Sequence, residues 1–311
     1  MLILMSQWST SIMPKDLFCY RAAPGFLLIV LLLIPLAGVS APVLPPVNTA
    51  PTGERLTGKF IWFDLATASI EQQKVFYGEV FGWKFRTLGD TDDQYTLITN
   101  GDRNVAGMFL VKAREDAPVG ALWIGLMSIE DPVKAASAVE RGGGVVHAQP
   151  MTLTQRGTYA VFRDPDGALF GVLKSDSGDP PDQAVAIGDF LWVDLFADQP
   201  EKAAGFYQQL AGYELTKSEE KAGAERIILA SHGLPRAGVV PLPEDVSRAG
   251  WLPYIKVEDV AATLKKVVEA GGYIMVPPAE DLLDGNLAIF SDPQGGVLGV
   301  VKWDEPAADK Q

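Results

Sequence analysis

The stretch Ile61–Ser69 reads IWFDLATAS, and Leu191–Gln199 repeats it as LWVDLFADQ. The alternation is typical of a β-strand whose successive side chains point to opposite faces. Trp62 and Asp64 therefore share one face of the predicted strand. The other face is predicted to carry Ile61, Phe63 and Leu65.

The repeat continues beyond this strand. Trp62 and Trp192 are 130 residues apart, and FYGEVFGW recurs as FYQQLAGY at the same spacing. Ala106-Gly107 recurs as Ala237-Gly238 after 131 residues, and the Asp-Pro pair at 164–165 recurs after 128. Because the spacing changes by so little, the chain is predicted to contain two duplicated domains joined with small loop differences.

Each half contains the same order of elements twice: one strand, one helix and three strands. Ser69 and Gln72 form a capping-box pattern at the start of the first helix, and Asp198 with Glu201 is expected to repeat that cap. Gly142-Gly143 and the matching pair at 271–272 are expected to end two helices in a left-handed conformation. The pattern predicts the α+β class, with four βαβββ modules.

This arrangement resembles the vicinal-oxygen-chelate superfamily, which includes glyoxalase, bleomycin-resistance and dioxygenase relatives. The matching motifs are the two FY helices, GGGVVHAQP with GGYIMVPP, and FRDPDGALFGVL with FSDPQGGVLGVV. The resemblance covers both halves, from Gly58 to Trp303. It implies two tandem domains, each folding two modules into an open, cup-shaped barrel that holds a small ligand.

Six segments are predicted from these patterns. They are a signal peptide or membrane anchor (1–40), a proline-rich tether (41–57), a first domain (58–175), a linker (176–186), a second domain (187–304) and a C-terminal tail (305–311).

The apolar run Phe26–Gly38 has the length of a signal-peptide core and follows the basic residues Lys15 and Arg21. Cleavage after Ser40 would export the protein to the periplasm or the extracellular space. In the alternative, the segment stays uncleaved and residues 22–39 anchor the chain in a membrane. The single cysteine, Cys19, precedes the run, so the exported chain would contain no disulfide.

A formal net charge of −13 and a pI near 4.6 argue against nucleic-acid binding, which needs a basic surface. The expected partner is a small molecule, and membrane contact is expected only through the N-terminal segment. The two domains are expected to act as a pseudo-dimer within one chain.

The resemblance also implies positions for metal ligands. Many relatives place His, Gln or Glu on the first strand of each module and Glu on the last strand. The corresponding positions here are Trp62, Trp192, Ile124, Leu252, Gly171 and Gly299. Neither an indole nor a glycine can supply such a metal ligand, so we expect no metal and no other cofactor.

The two histidines do not suggest a replacement site. His147 matches Met275 in the repeat and is expected to pack, and His232 lies in a predicted turn. Asp164 and Asp292, in DPDG and DPQG, are interpreted as hairpin-turn residues.

The candidate ligand-binding residues are Trp62 and Asp64 in one cup and Trp192 and Asp194 in the other. Tyr95 and Arg226, which share a repeat position, are weaker candidates. In the alternative interpretation, the indoles fill the space of a lost metal, the acids bind nearby backbone, and Tyr95 and Arg226 lie on the sheet surface.

These residues predict an exported glyoxalase-like or bleomycin-resistance-like protein that binds a small organic ligand in metal-free cups. Catalysis is not expected, and no catalytic residue is assigned. One alternative is a metal-independent lyase or isomerase that uses Asp64 or Asp194 as general base. Another is a non-catalytic interaction scaffold.

Overall fold

A computed structural model describes residues 43–89, 95–111, 120–219, 225–243, 246 and 248–304. The predicted signal peptide or anchor, Cys19 and the tail at 305–311 lie outside these residues. Among the described residues, no helix is both long and apolar enough to cross a membrane.

The first domain contains eight strands and two helices. They are β1 (Phe60–Thr67), α1 (Ile70–Phe81), β2 (Lys84–Leu88), β3 (Tyr95–Asn100), β4 (Arg103–Leu110), β5 (Leu122–Ser128), α2 (Pro132–Arg141), β6 (Val145–Leu153), β7 (Gly157–Arg163) and β8 (Leu169–Ser175).

The second domain repeats this order. Its elements are β9 (Phe190–Ala197), α3 (Pro200–Ala211), β10 (Glu214–Glu219), β11 (Glu225–Ser231), β12 (Leu234–Pro241), β13 (Gly250–Lys256), α4 (Val260–Glu269), β14 (Tyr273–Val276), β15 (Leu287–Ser291) and β16 (Val297–Val301).

Each domain forms one eight-stranded sheet, and the two sheets have the same strand order. The first runs β2-β3-β4-β1-β5-β8-β7-β6, and the second runs β10-β11-β12-β9-β13-β16-β15-β14. In each, the first strands of the two modules pair antiparallel at the centre, and each also pairs in parallel with the last strand of its own module. The α+β class and the tandem two-module cups are confirmed.

The two faces of β1 enter different cores. Phe63 and Leu65 pack in a core shared by both domains, while Trp62 and Ala66 pack inside the first cup. The predicted face of Ile61 is wrong, because its side chain joins the cup cluster. A register shift between Phe60 and Trp62 interrupts the two-residue period there.

The Ser69 side chain accepts a hydrogen bond from the backbone N–H of Gln72, as predicted. The other half of the predicted capping box is wrong, because the backbone N–H of Ser69 donates to Oγ1 of Thr67. The predicted cap at Asp198 is wrong, because α3 begins after Gln199 and has no side-chain cap. Pro200 at its first turn lacks an N–H group, so fewer donors need a partner there.

The two domains pack against each other through their outer faces. Helix α1 contacts α4, and α2 contacts α3. The rings of Phe63 and Phe190, one from each central strand, stack with centroids 3.9 Å apart. This shared core leaves the concave face of each sheet free to build its own interior.

The segment before β1 and the connection between the domains are both docked on the protein. Asn48 donates to the carbonyl of Gly178, and Arg55 forms an ion pair with buried Asp179 at 2.8 Å. Farther along, Arg236 of β12 binds both carboxylate oxygens of Asp182. These contacts hold the segment before β1 against the linker, and the linker against the second domain.

Candidate functional site

Trp62 and Asp64 lie together inside the first cup, as the two-residue period of β1 requires. Both are buried, and the indole Nε1 of Trp62 donates to Oδ1 of Asp64 over 3.0 Å. The carboxylate therefore bonds to a neighbouring side chain on its own strand. This contact differs from the alternative in which Asp64 binds backbone at the strand-to-helix turn.

Tyr95 of β3 completes the cluster. Its hydroxyl donates to Oδ1 of Asp64 at 2.5 Å and accepts from Nε1 of Trp62 at 2.9 Å. The side chain is 2% exposed, so the alternative that Tyr95 lies on the sheet surface is wrong. Trp62, Asp64 and Tyr95 thus form a closed triangle of hydrogen bonds.

A glycine on the neighbouring strand makes room for this triangle. Gly107 pairs in register with Asp64, and a Cβ atom at Gly107 would lie 1.8 Å from the Tyr95 hydroxyl oxygen. Gly238 pairs with Asp194 in the same way, and a Cβ atom there would lie 2.2 Å from Oδ1 of Asp194. The repeated Ala-Gly pair noted in the sequence therefore provides space beside each acid.

Burial dominates the electrostatics of the triangle. Loss of solvent raises the pKa of Asp64, although hydrogen bonds from Tyr95 and Trp62 and the charge of Arg156 act in the opposite direction. Burial, with the adjacent Asp64 charge, also raises the pKa of Tyr95 well above its usual range. Tyr95 therefore stays a protonated donor at neutral pH.

Two further residues reach this cup from β7 and the turn before it. Arg156 is 3% exposed, and its guanidinium carbon lies 4.0 Å from the ring centroid of Trp62, a cation–π contact. Tyr159 is also buried, and burial together with the charge of Asp64 raises its pKa. Sequence reasoning missed both, since an arginine in the polar turn TQRGT is typical of an exposed position.

The rest of the cup is apolar. Side chains from the central strands and from β7 and β8 form its lining, and two residues of the segment before β1 close over it. These two are Leu44 and Val47, which are 3% and 7% exposed. A proline-rich segment predicted as a tether therefore supplies part of the cup interior.

The second cup pairs its charges internally. Nε1 of Trp192 donates to Oδ1 of Asp194 at 2.9 Å, and Nη2 of Arg226 donates to Oδ2 at 3.1 Å. All three residues are buried, so the alternative that Arg226 lies on the sheet surface is wrong. The acid thus has a direct cationic partner in this cup, unlike Asp64 in the first.

The positions that bind metal in relatives do not fit a metal here. Ile124 and Leu252 lie opposite Asp64 and Asp194 in the antiparallel register, and neither side chain can coordinate. Among the described residues, no group of three or more His, Cys, Asp and Glu side chains could hold an ion. The expectation that no metal is bound stays a prediction, based on the types of residue present.

The last-strand positions are filled by neighbouring side chains. A Cβ atom at Gly171 would lie 2.1 Å from Cδ2 of Leu126, and one at Gly299 would lie 2.1 Å from Cδ1 of Tyr254. A glutamate could not enter either position without displacing that neighbour. In both cups, a neighbouring side chain fills the space that a metal-coordinating glutamate at this position would need.

The histidines are remote from this chemistry. His147 accepts a hydrogen bond at Nε2 from Nε of Arg163 over 2.8 Å. His232 occupies a turn between β11 and β12 with a φ of 53°, as its predicted turn position suggests.

Comparison with known proteins identifies the family. The sequence model of the Glyoxalase/Bleomycin resistance protein/Dioxygenase superfamily matches residues 59–172 and 189–299, one segment in each domain. The chain belongs to this superfamily. The resemblance carried by the repeated motifs is thereby confirmed.

Two relatives match most of the chain. "Putative glyoxylase CFP32" of Mycobacterium bovis is 26% identical over 243 residues, covering 78% of this chain and 93% of the relative. "Anthracycline biosynthesis protein DauV" of Streptomyces sp. (strain C5) is 29% identical over 264 residues, covering 79% and 94%.

Solved structures of the superfamily show the same fold. The 2,3-dioxygenase LapB from Pseudomonas sp. KL28 aligns with a TM-score of 0.54 at 14% identity, covering 82% of this chain and 96% of that one. The Mn(II)-bound glyoxalase from Novosphingobium aromaticivorans aligns with a TM-score of 0.50 at 14% identity, covering 80% and 82%.

Proposed function

We propose that this superfamily member binds a small organic molecule in the cup of its first domain, without a metal. The observation that carries the proposal is the buried polar triangle of Trp62, Asp64 and Tyr95, with Arg156 beside it, against the hydrophobic cluster of the first cup. A few convergent polar groups in an apolar concavity are typical of small-molecule sites. The names of the relatives, a putative glyoxylase and an anthracycline biosynthesis protein, are compatible with small organic ligands.

The first cup is favoured over the second on electrostatic grounds. Both oxygens of Asp194 are occupied, one by Trp192 and one by Arg226. A ligand in the second cup would have to break this buried ion pair, and breaking one is costly. We therefore assign the second cup a structural role, although the sequence predicts a ligand in each.

Catalysis without a metal is the second candidate function, and one observation favours it. Burial raises the pKa of Asp64, as a general base working near neutral pH would require. Asp64 is therefore a better candidate base than ion-paired Asp194 for a lyase or isomerase. Turnover that Asp64→Asn abolishes, in a variant that still binds substrate, would establish this function over simple binding.

We further propose that the protein acts outside the cytoplasm, because of its N-terminal apolar run. Expression with the native N-terminus, followed by fractionation and N-terminal sequencing, tests this proposal. We expect a mature chain that begins near Ala41, or a full-length chain in the membrane fraction. Recovery of the intact chain from the soluble cytoplasmic fraction would contradict export.

The binding proposal is tested with a thermal-shift panel of small carboxylic acids, amides, alcohols and aldehydes, followed by calorimetric titration of every compound that raises the melting temperature. Trp62→Phe removes one donor to Asp64 while keeping a ring, and Trp192→Phe is the matched control in the second domain. A hydrogen bond to a charged group contributes about 1.5–3 kcal/mol, and 1.4 kcal/mol corresponds to about tenfold in affinity.

We therefore expect Asp64→Asn, which removes the charged acceptor from the first cup, to weaken binding by about ten- to a hundredfold. Trp62→Phe removes a donor that holds the Asp64 carboxylate in place and does not itself bind the ligand, so it should weaken binding by a smaller factor. Trp192→Phe should leave binding unchanged. If no compound binds, or if the first-domain variants bind as tightly as the wild type, the first cup is not the site.

A further inference from the structure

We propose that Arg156 is the anion-binding group of the first cup and that the ligand is a small organic monocarboxylate. This inference rests on the proposed function, which assigns the ligand to that cup. It begins with the turn that holds Arg156. The backbone N–H of Arg156 donates to the carbonyl of Leu153 at 3.1 Å, and its carbonyl accepts from the N–H of Asp176 at 3.2 Å.

The residues on either side fix this turn further. Gln155 has a φ of 69°, which is uncommon for a residue other than glycine, and Gly157 has a φ of 117°. A Cβ atom at Gly157 would lie 2.0 Å from the carbonyl oxygen of Lys174. The turn is thus tightly held against β8, with the Arg156 side chain against the Trp62 ring.

The guanidinium has no hydrogen-bond acceptor among the described residues. Its Nε, Nη1 and Nη2 atoms are all buried, and none has a partner. A buried charge without hydrogen bonds is costly, and the cation–π contact with Trp62 offsets only part of that cost. An acceptor that binds several of these N–H groups at once would offset the remaining cost.

Asp64 is not that acceptor. Its Oδ1 atom receives Trp62 and Tyr95, and Arg156 affects it only through its charge. In the second cup, by contrast, Arg226 bonds directly to Asp194. The residue at the repeat position of Arg156, 128 residues later, is Asp284. Arg156 is therefore specific to the first domain and is not part of the repeated framework.

The position and shape of the guanidinium point to the ligand class. Its carbon lies over the indole ring, and its N–H donors lie in the plane of the guanidinium, where a planar carboxylate can accept two of them. Arg156 is the one buried cation in the part of the first domain that the structure describes. A single cation beside Asp64 matches one negative charge better than the two of a phosphate monoester.

The test is calorimetric titration of the full chain with acetate and benzoate and with their neutral amides, acetamide and benzamide, in a carboxylate-free buffer at low salt. We expect at least one carboxylate to bind at least tenfold more tightly than its amide. Arg156→Met, which keeps much of the side-chain length without the charge, should lose that preference through a ten- to hundredfold weaker carboxylate affinity.

Arg156→Lys should bind with intermediate affinity, and Arg141→Met, which removes an exposed arginine of the same domain, should bind like the wild type. Without ligand, Arg156→Met should melt at or above the wild-type temperature, because it removes an unpaired buried charge.

Three results would each overturn the inference. The carboxylates bind Arg156→Met as tightly as the wild type, the amides bind the wild type as tightly as the carboxylates do, or no carboxylate binds at all. If neutral compounds bind in a Trp62-dependent way while carboxylates do not, only the carboxylate assignment fails. If no compound of any class shows Trp62-dependent binding, the proposed function fails as well.

Discussion

Tyr207 of the second domain donates a hydrogen bond of 3.1 Å from its hydroxyl to Oδ2 of Asp164 in the first domain. Asp164 lies in the turn between β7 and β8, where its Oδ1 also accepts from the backbone N–H groups of Asp166 and Ala168. Trp251 donates to the same tyrosine oxygen at 2.9 Å. One carboxylate thus shapes a hairpin turn and joins the two domains.

The duplication repeats this contact with the donor and acceptor domains exchanged. Tyr77 of the first domain donates to Oδ2 of Asp292 in the second at 2.8 Å, and Trp123 donates to the Tyr77 oxygen at 2.9 Å. Gln73 adds a third contact, from Nε2 to Oδ2 of Asp292 at 2.9 Å. The turn interpretation of DPDG and DPQG is therefore confirmed but incomplete, since each aspartate also binds the opposite domain.

Stability should fall as pH rises through the range in which Asp164 loses its proton. Burial raises its pKa from the ordinary value of 3.8 to about 6. Because the folded protein binds this proton more tightly than the unfolded chain, the stabilisation is complete below about pH 4 and is lost as pH rises through about 6. Over this range the effect is about 3 kcal/mol.

Urea unfolding at pH 4.5 and 7.5 measures the effect. Asp164→Asn should reduce the difference in unfolding free energy between these pH values by about 2 kcal/mol. Asp176→Asn, at an exposed aspartate directly after the first domain, should leave the difference unchanged. An unchanged difference in Asp164→Asn would show that this carboxyl group does not titrate with a raised pKa.

Gly107→Ala should destabilise the first domain by disturbing Tyr95. The new methyl group would lie 1.8 Å from the tyrosine oxygen, so the ring must move away from Asp64. Overpacking of this kind costs about 1–3 kcal/mol of unfolding free energy. Gly205→Ala is the control, because its Cβ atom would meet no atom within 4 Å and alanine favours the helix by about 0.5–1 kcal/mol.

A double-mutant cycle makes this test specific. In a Tyr95→Leu background the clash disappears, so the added cost of Gly107→Ala should shrink by about 1 kcal/mol or more. Additive effects of the two substitutions would show that Gly107 is needed for a reason other than the position of Tyr95.

Leu44→Ala should destabilise the protein even though Leu44 precedes every strand and helix of the described chain. Its side chain is 3% exposed in the apolar cup, and truncation of a buried leucine to alanine costs about 2–5 kcal/mol. Val43→Ala is the neighbouring control, since Val43 is 55% exposed, and it should change the unfolding free energy by less than about 0.5 kcal/mol. Equal, small effects at both positions would mean that the segment does not pack into the cup in solution.

Chelation should have no effect on this protein. We expect incubation with EDTA, followed by buffer exchange, to leave the melting temperature and any Trp62-dependent binding unchanged. The reason is that tryptophan, isoleucine, leucine and glycine occupy the six positions matched to the family's metal ligands, and none of these side chains coordinates a metal. Elemental analysis of the purified chain measures the same property directly. About one equivalent of zinc, iron, nickel or manganese per domain, with loss of binding on removal, would contradict the metal-free assignment.

Local pattern was sufficient for much of the fold. The two-residue period of β1 predicted that Trp62 and Asp64 share the cup face, and the Gly-Gly pairs predicted left-handed residues, which are found at Gly143 and Gly271. The repeat predicted two copies of one domain. These features depend on residues close together in the sequence, where backbone geometry and side-chain spacing suffice.

Tertiary structure alone decided which side chains meet inside the cups and between the domains. Tyr95 reaches Asp64 across two strand pairings, Arg156 enters from a turn that looks exposed in the sequence, and Asp164 bonds to Tyr207 of the other domain. No local signal marks these contacts, because each joins segments distant along the chain. Burial then sets their chemistry: it raises the pKa of Asp64 and leaves the Arg156 guanidinium without an acceptor in the described part of the chain. Sequence periodicity thus determined which faces the strands present, and only the packing of distant segments decided which charges are paired inside the first cup.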